Sequence, residues 1–252
     1  MSALAVLDAE RIKLSTTRSP LWSVLGVAAL SLGVAALQGW TAYDLTALPP
    51  DKAALGVAVF GVPVLMILAS MTVTGEYRTG LIRTTFLATP NRIRVLIAKA
   101  IVAAAFSSIC AVVMVLASVL VARLFAEPVA GAQLSLANSA TWSVAGRFAL
   151  YAALAAVLGV AVGALVRFAA GAVAVLLMWP LVAEPLLGNL PASGAQIGPW
   201  LPFANMFRFL DVQWLFPTYA MPWGETGSLV YFVAVVAIVF IAAAVVLNRR
   251  DA

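Results

Sequence analysis

Apolar residues run unbroken through six stretches of the chain, at about residues 21–40, 54–73, 100–122, 148–166, 168–187 and 228–247. A helix that crosses a bilayer needs roughly 20 mostly apolar residues, because ~30 Å of hydrocarbon is covered at ~1.5 Å per residue. Each stretch meets that length. None alternates in polarity, as a barrel strand of about 10 residues would. The pattern therefore predicts an all-α integral membrane fold with six transmembrane helices in a single domain over 1–252. Little more than Arg167 separates the fourth and fifth stretches, which read as a tight helical hairpin.

Three polar or mixed segments interrupt this pattern. In residues 1–20, Leu4, Leu7 and Leu14 fall near one helical face, and Asp8, Glu10, Arg11 and Lys13 lie mostly off it. That arrangement predicts an amphipathic helix lying in the membrane interface, its bases among lipid headgroups. The alternative is a polar leader that only sets topology. Residues 74–99 are too long for a simple turn and too polar to span. Gly75 and Gly80 bracket Glu76, Tyr77 and Arg78, and Pro90-Asn91 is a turn signal. Between these breaks Leu81 to Thr89 can form a short helix, with Leu81, Thr84, Thr85 and Ala88 at helical spacing. Residues 188–227 hold Trp200, Phe203, Phe207, Phe209, Trp214, Phe216, Tyr219 and Trp223, a third of the aromatic residues in under a sixth of the length. Five prolines break this segment into short pieces, expected at headgroup level where aromatic rings with polar tips collect.

Composition removes several classes. The chain is 64% hydrophobic and 10% charged, against about 25% charged in a soluble domain, so it cannot cover a water-facing surface. It has no histidine, which excludes His-ligated zinc, His general bases and His-bound haem. Its one cysteine, Cys110, sits within an apolar run and reads as a small buried residue rather than part of a metal or disulfide framework. The first apolar stretch is expected to stay in the membrane, because Asp8 and Glu10 precede it and it exceeds a signal-peptide core of 7–15 residues.

The formal charge of +5 gains meaning once it is distributed. With six spans and both termini on one side, that side carries Arg11, Lys13, Arg18, Arg78, Arg83, Arg92, Arg94, Lys99, Arg167, Arg249 and Arg250. The opposite side has only Lys52, Arg123, Arg147 and Arg208. Counting acids as well, the two sides stand at +7 and −2. The positive-inside rule then puts both termini in the cytoplasm, and the basic excess reads as orientation rather than as nucleic-acid binding.

One segment carries a family signal. Gly75, Glu76, Arg78, Thr79 and Gly80 form G-E-x-R-T-G, followed by Thr84 and Thr85 in a short helix, then Pro90, Arg92 and Lys99 at the start of the next span. With the N-terminal helix, the six spans and the long segment before the sixth, this resembles the permease subunits of bacterial ABC type-2 exporters along nearly the whole chain. The resemblance implies a multi-pass protein of the bacterial plasma membrane that forms the pathway for an amphipathic, drug-like, peptide or lipid substrate. It implies a coupling helix at Glu76, Arg78, Thr79, Gly80, Leu81, Thr84, Thr85, Pro90 and Arg92, docked on a separate ATPase subunit. Glu10, Arg11 and Lys13 would add a contact from the N-terminal helix, and short re-entrant helices would lie near an outer gate. The pathway would need a second copy of the chain or a sister permease. ATP and Mg would belong to the ATPase subunit, with no cofactor bound by this chain and no catalytic residue in it.

The spans themselves are sparse in chemistry. No charged residue is expected deep in any of them, which speaks against ion coupling, because a charge at a helix centre costs about 2.5–3.5 kcal/mol and marks an ion path. Glu184, between Pro180 and Pro185, reads either as an interfacial anchor or, with Phe203, Phe207 and Trp214, as part of an outer gate. Gly159 and Gly163 form a G-x-x-x-G, extended upstream by Ala155, that permits close helix packing. The chain has no G-x-x-x-x-G-K-[ST] phosphate loop, so any ATP-driven motor must be another polypeptide. The competing readings are a secondary transporter or channel, and a membrane anchor or scaffold for a soluble complex.

Overall fold

A computed structural model describes residues 3–42, 47–191, 193–213, 216–217 and 219–249, and among these there are helices and turns but no strand. Six helices are long and apolar enough to cross a membrane. They are α2 (Ser19–Trp40), α3 (Val57–Thr79), α5 (Arg92–Phe125), α6 (Ser139–Val166), α7 (Ala169–Gly188) and α9 (Glu225–Arg249). Three further helices are shorter: α1 (Ala3–Thr16), α4 (Leu81–Ala88) and α8 (Pro202–Phe209). Six such helices are compatible with a multi-pass membrane protein.

The helices outrun their apolar windows, because a helix keeps its backbone bonded wherever the side chains allow it and need not end where lipid ends. The stretch 74–99 shows this best, being largely helical. Gly75 lies inside α3, and only Gly80 breaks the chain, at φ 73°, a left-handed conformation that glycine adopts without penalty. Asn91 then caps α5, its side-chain oxygen accepting from the Arg94 amide at 3.0 Å. The hairpin at Arg167 forms as expected: Arg167 closes α6 at φ 63°, Phe168 is extended, and α7 begins at Ala169.

Helices α3 and α6 form the centre of the bundle, enclosed by protein over most of their length, and α2, α5, α7 and α9 pack around them. Small residues set this centre. A Cβ at Gly159 would collide with the Met66 carbonyl, and one at Gly163 would come within 2.7 Å of the Ser70 carbonyl. The G-x-x-x-G of α6 therefore lies directly on the α3 backbone, and Ala155 and Ala156 next to it are wholly buried. Farther along, Tyr151 meets Phe207 and Phe232 edge to face, each at 6.3 Å, which joins α6 to α8 and α9.

The two ends of the bundle differ in chemistry. At one end Lys99 and Arg92 of α5, Glu76 and Tyr77 of α3, Arg167, Leu247 and helix α1 are joined by contacts. The other end holds α8 with Trp200, Trp223 and Tyr231 around it. We refer to them as the basic end and the aromatic end.

Gly159→Ala should lower the stability of the detergent-solubilised protein by about 1–3 kcal/mol, the usual cost of overpacking. Gly26→Ala in α2, whose Cβ would meet nothing within 4 Å, should instead be neutral or gain up to about 1 kcal/mol. Equilibrium unfolding of the two variants side by side checks the contrast.

Candidate functional site

At the basic end four charged side chains close into a ring. Glu10 of α1 accepts from Lys99 at 2.7 Å through one carboxylate oxygen and from Lys13 at 2.8 Å through the other. One oxygen of Glu76 on α3 accepts from Lys99 at 2.6 Å and from Lys13 at 2.8 Å. Acid and base alternate around the ring, so its net charge is zero. Lys99, Glu10 and Glu76 are buried, at 3%, 5% and 7% exposure. The remaining bonding capacity is used as well: the Lys99 ammonium donates to the Thr72 carbonyl at 3.1 Å, and the Thr85 hydroxyl of α4 donates to the second Glu76 oxygen at 3.3 Å. Four helices, α1, α3, α4 and α5, thus meet on one ionic cluster.

Local sequence makes the ring possible. Glu10 and Lys13 are three residues apart on one face of α1, and Val6, one turn earlier, is buried on the same side. Thr72 and Glu76 are four apart on α3 and both face Lys99. Burial works against the Lys13 ammonium, but its hydrogen bonds to Glu10 and Glu76 outweigh that and raise its pKa above the ordinary 10.5. A raised lysine lends stability that is complete below the unfolded-state value and lost as pH climbs through the higher folded-state one.

Helix α4 stands on this base. Ile82 is buried, Thr85 and Phe86 are half-buried, and Phe86 lies 5.2 Å under the Arg92 guanidinium, which also donates to the Leu247 carbonyl at 3.0 Å near the C-terminus of α9. The opposite side is bare: Leu81 is 55% exposed and Leu87 82%, with Arg83 and Thr84 exposed between them. Of the residues spaced for one face, Leu81, Thr84 and Ala88 point outward, while Thr85 faces the ring.

The sequence-selected residues at this end divide accordingly. Glu10, Lys13, Glu76 and Thr85 are joined in the ring. Arg78, Thr79, Leu81, Thr84 and Pro90 lie on the surface, and Arg11 makes only an exposed pair with Asp8 at 3.6 Å. Gly80 is the turn and Arg92 the brace to α9. Lys99, which contacts both acids, was legible only as the base opening a span. Its one sequence signal is the absence of a carboxylate on its own helix.

The aromatic end has its own buried acid. Glu184 is wholly enclosed. Its carboxylate accepts from Trp179 Nε1 at 2.7 Å, and from the Phe203 and Ala204 amides at 2.8 and 3.2 Å. Those amides belong to the first turn of α8, whose own cap residue, Leu201, has no side chain able to bond them. Glu184 thus caps α8 from another helix, and Pro202 fits the first helical position because it has no amide to satisfy. At the far end of α8 Arg147 donates to the Phe209 carbonyl at 2.9 Å and pairs with Glu225 at 3.1 Å. An anion at its start and a cation at its end both complement the helix dipole. Glu184 does not reach outward as an interfacial anchor. Phe203 and Phe207 pack inward, at 3% and 5% exposure, against Phe232 and against Tyr151 and Phe216 respectively. Trp214 lies outside the described residues.

Among the described residues no group of histidine, cysteine or acid side chains could hold a metal ion. No protein-family model matches the chain, and no curated protein matches it either.

Lys99→Met would leave two buried carboxylates with one ammonium, a change that typically costs about 3–5 kcal/mol. Adding Glu10→Gln should recover part of that loss in equilibrium unfolding, the mark of a coupled pair. The wild type should also keep α1 docked below pH 10.5 and release it at higher pH, as Lys13 loses its proton. A fluorophore placed on α1 would follow this release, and an unchanged signal through that range would contradict it.

Proposed function

We propose that the chain is the permease subunit of an ATP-driven exporter of the ABC type-2 kind, with α4 as the helix that docks on a separate ATPase. The observation that carries this reading is the two-sidedness of α4. Its inner side is fixed to the bundle through Ile82, Phe86 and the Thr85–Glu76 bond, and its outer side presents Leu81, Arg83 and Leu87 to solvent. Bare leucines on a water-facing helix at the basic end are costly to leave uncovered, and two of them beside an arginine suit a groove on a partner protein.

In this reading nucleotide binding draws two ATPase subunits together, and each carries an α4 with it. Because Thr85 bonds Glu76, and Glu76 bonds Lys99 and Lys13, a push on α4 reaches α3, α5 and α1 together. The substrate pathway then forms between this chain and a second permease, and the cargo is amphipathic, drug-like, peptide or lipid. The chain supplies no chemistry to ATP hydrolysis, and the motor carries the nucleotide and its Mg.

Glu184 supports the second reading, a secondary transporter, since a wholly buried acid in a span is the usual site of proton coupling. Its three donors favour a structural role. Transport that collapses with the proton gradient and fails in Glu184→Gln would favour the carrier.

The decisive test is affinity isolation of the chain from its own membranes. A stoichiometric partner with a phosphate loop and ATPase activity is expected. Leu87→Asp or Arg83→Asp should lose that partner at least tenfold while the bundle stays folded. Full retention in both variants would remove α4 from the interface, and the absence of any such ATPase would overturn the proposal.

A further inference from the structure

Beside the ionic ring, a groove of about 350 Å³ runs between α1, α3 and α5, and nothing in the motor-docking reading uses it. That volume falls within the range of small-ligand sites. Its lining changes with depth. Near the basic end it is polar, with Arg78, Thr79, Thr17 and Ser19, and deeper it is apolar, with Met71, Leu68 and Val102. Leu68 and Arg78 are ten residues apart on α3, so the groove descends about 15 Å along the helix. Its floor is open at Gly75, where a Cβ would meet nothing within 4 Å.

Charge selects the occupant. The four ring charges cancel, which leaves Arg78 as the net charge at the mouth of the groove. Arg78 is exposed, and among the described residues it makes no ion pair. A molecule that fills this space needs an anionic head over Arg78, groups that bond the Thr17 and Ser19 hydroxyls, and an alkyl chain to lie on Met71, Leu68 and Val102. We propose that the groove is a binding site for one anionic phospholipid, its phosphate on Arg78 and one acyl chain passing Gly75 into the bundle. Basic pockets at helix ends recognise anionic headgroups in this way. The lipid fills the corner that α1 forms with α3 and α5, so α1 is held by the ring on one side and by lipid on the other.

The test uses the full chain without any ATPase, so its outcome is separate from that of the motor-docking proposal even though Arg78 figures in both. Purified, delipidated protein is supplied with dioleoylphosphatidylglycerol or dioleoylphosphatidylcholine, and bound lipid is counted by native mass spectrometry. The wild type should retain one lipid and prefer the anionic one by about fivefold, the selectivity that one arginine near the surface supplies. Arg78→Ala should bind both lipids equally. Gly75→Leu, whose side chain would enter open space, should lose the one-lipid adduct of either kind with its helix content intact. Equal binding of the two lipids by the wild type, or an unchanged anionic adduct in Arg78→Ala, would overturn the proposal. Those two proteins decide the matter even if Gly75→Leu fails to fold.

Discussion

A buried charge cannot remain alone, and the basic end is organised around that constraint. Lys99 lies at 3% exposure, where an ammonium without partners would be several kcal/mol out of place. It is tolerable only because Glu10 and Glu76 are brought to it, and they in turn need Lys13. Satisfying one cation thus fixes three helices that are far apart in sequence, and Thr85 adds a fourth. Such a cluster contributes little net stability compared with an apolar contact of equal size. What it contributes is uniqueness, since α1 has one position in which both its acid and its base are paired.

The aromatic end obeys a related constraint in backbone form. The first amides of α8 are enclosed, and no residue at its own start can accept their hydrogen bonds, so a carboxylate from α7 does. Asn205 within α8 continues the pattern: its amide donates to the Pro199 and Leu201 carbonyls and its oxygen accepts from Trp223. A short helix in this setting is held by its polar ends, and its apolar side, with Phe203 and Phe207, packs on what those ends allow.

The spans, the hairpin and the segregation of charge were legible in the sequence because each depends on runs of like residues, and a run is a local property. The G-x-x-x-G of α6 was legible as a packing signal, but its partner was not, since any helix can accept a glycine face. The ring was only half visible. Glu10 with Lys13, and Glu76 with Thr85, have the spacing of functional positions, but nothing in the chain joins residue 10 to residue 99. Gly75 was misleading for a physical reason: a glycine breaks a helix only where the backbone gains by leaving it, and here the residues on either side are held in α3. Glu184 read as an outward anchor because a carboxylate near the end of a span usually finds water. Its actual partners are amides made available by the fold of a segment twenty residues on.

The contact between α6 and α3 has a further consequence. Where Gly159 and Gly163 rest on the carbonyls of Met66 and Ser70, backbone meets backbone, and no side chains lie between that could rotate to accommodate sliding. The two helices therefore behave as one strut joining the ionic ring to the cluster around α8. Any change of shape in the bundle must leave this strut intact and be absorbed by the helices around it.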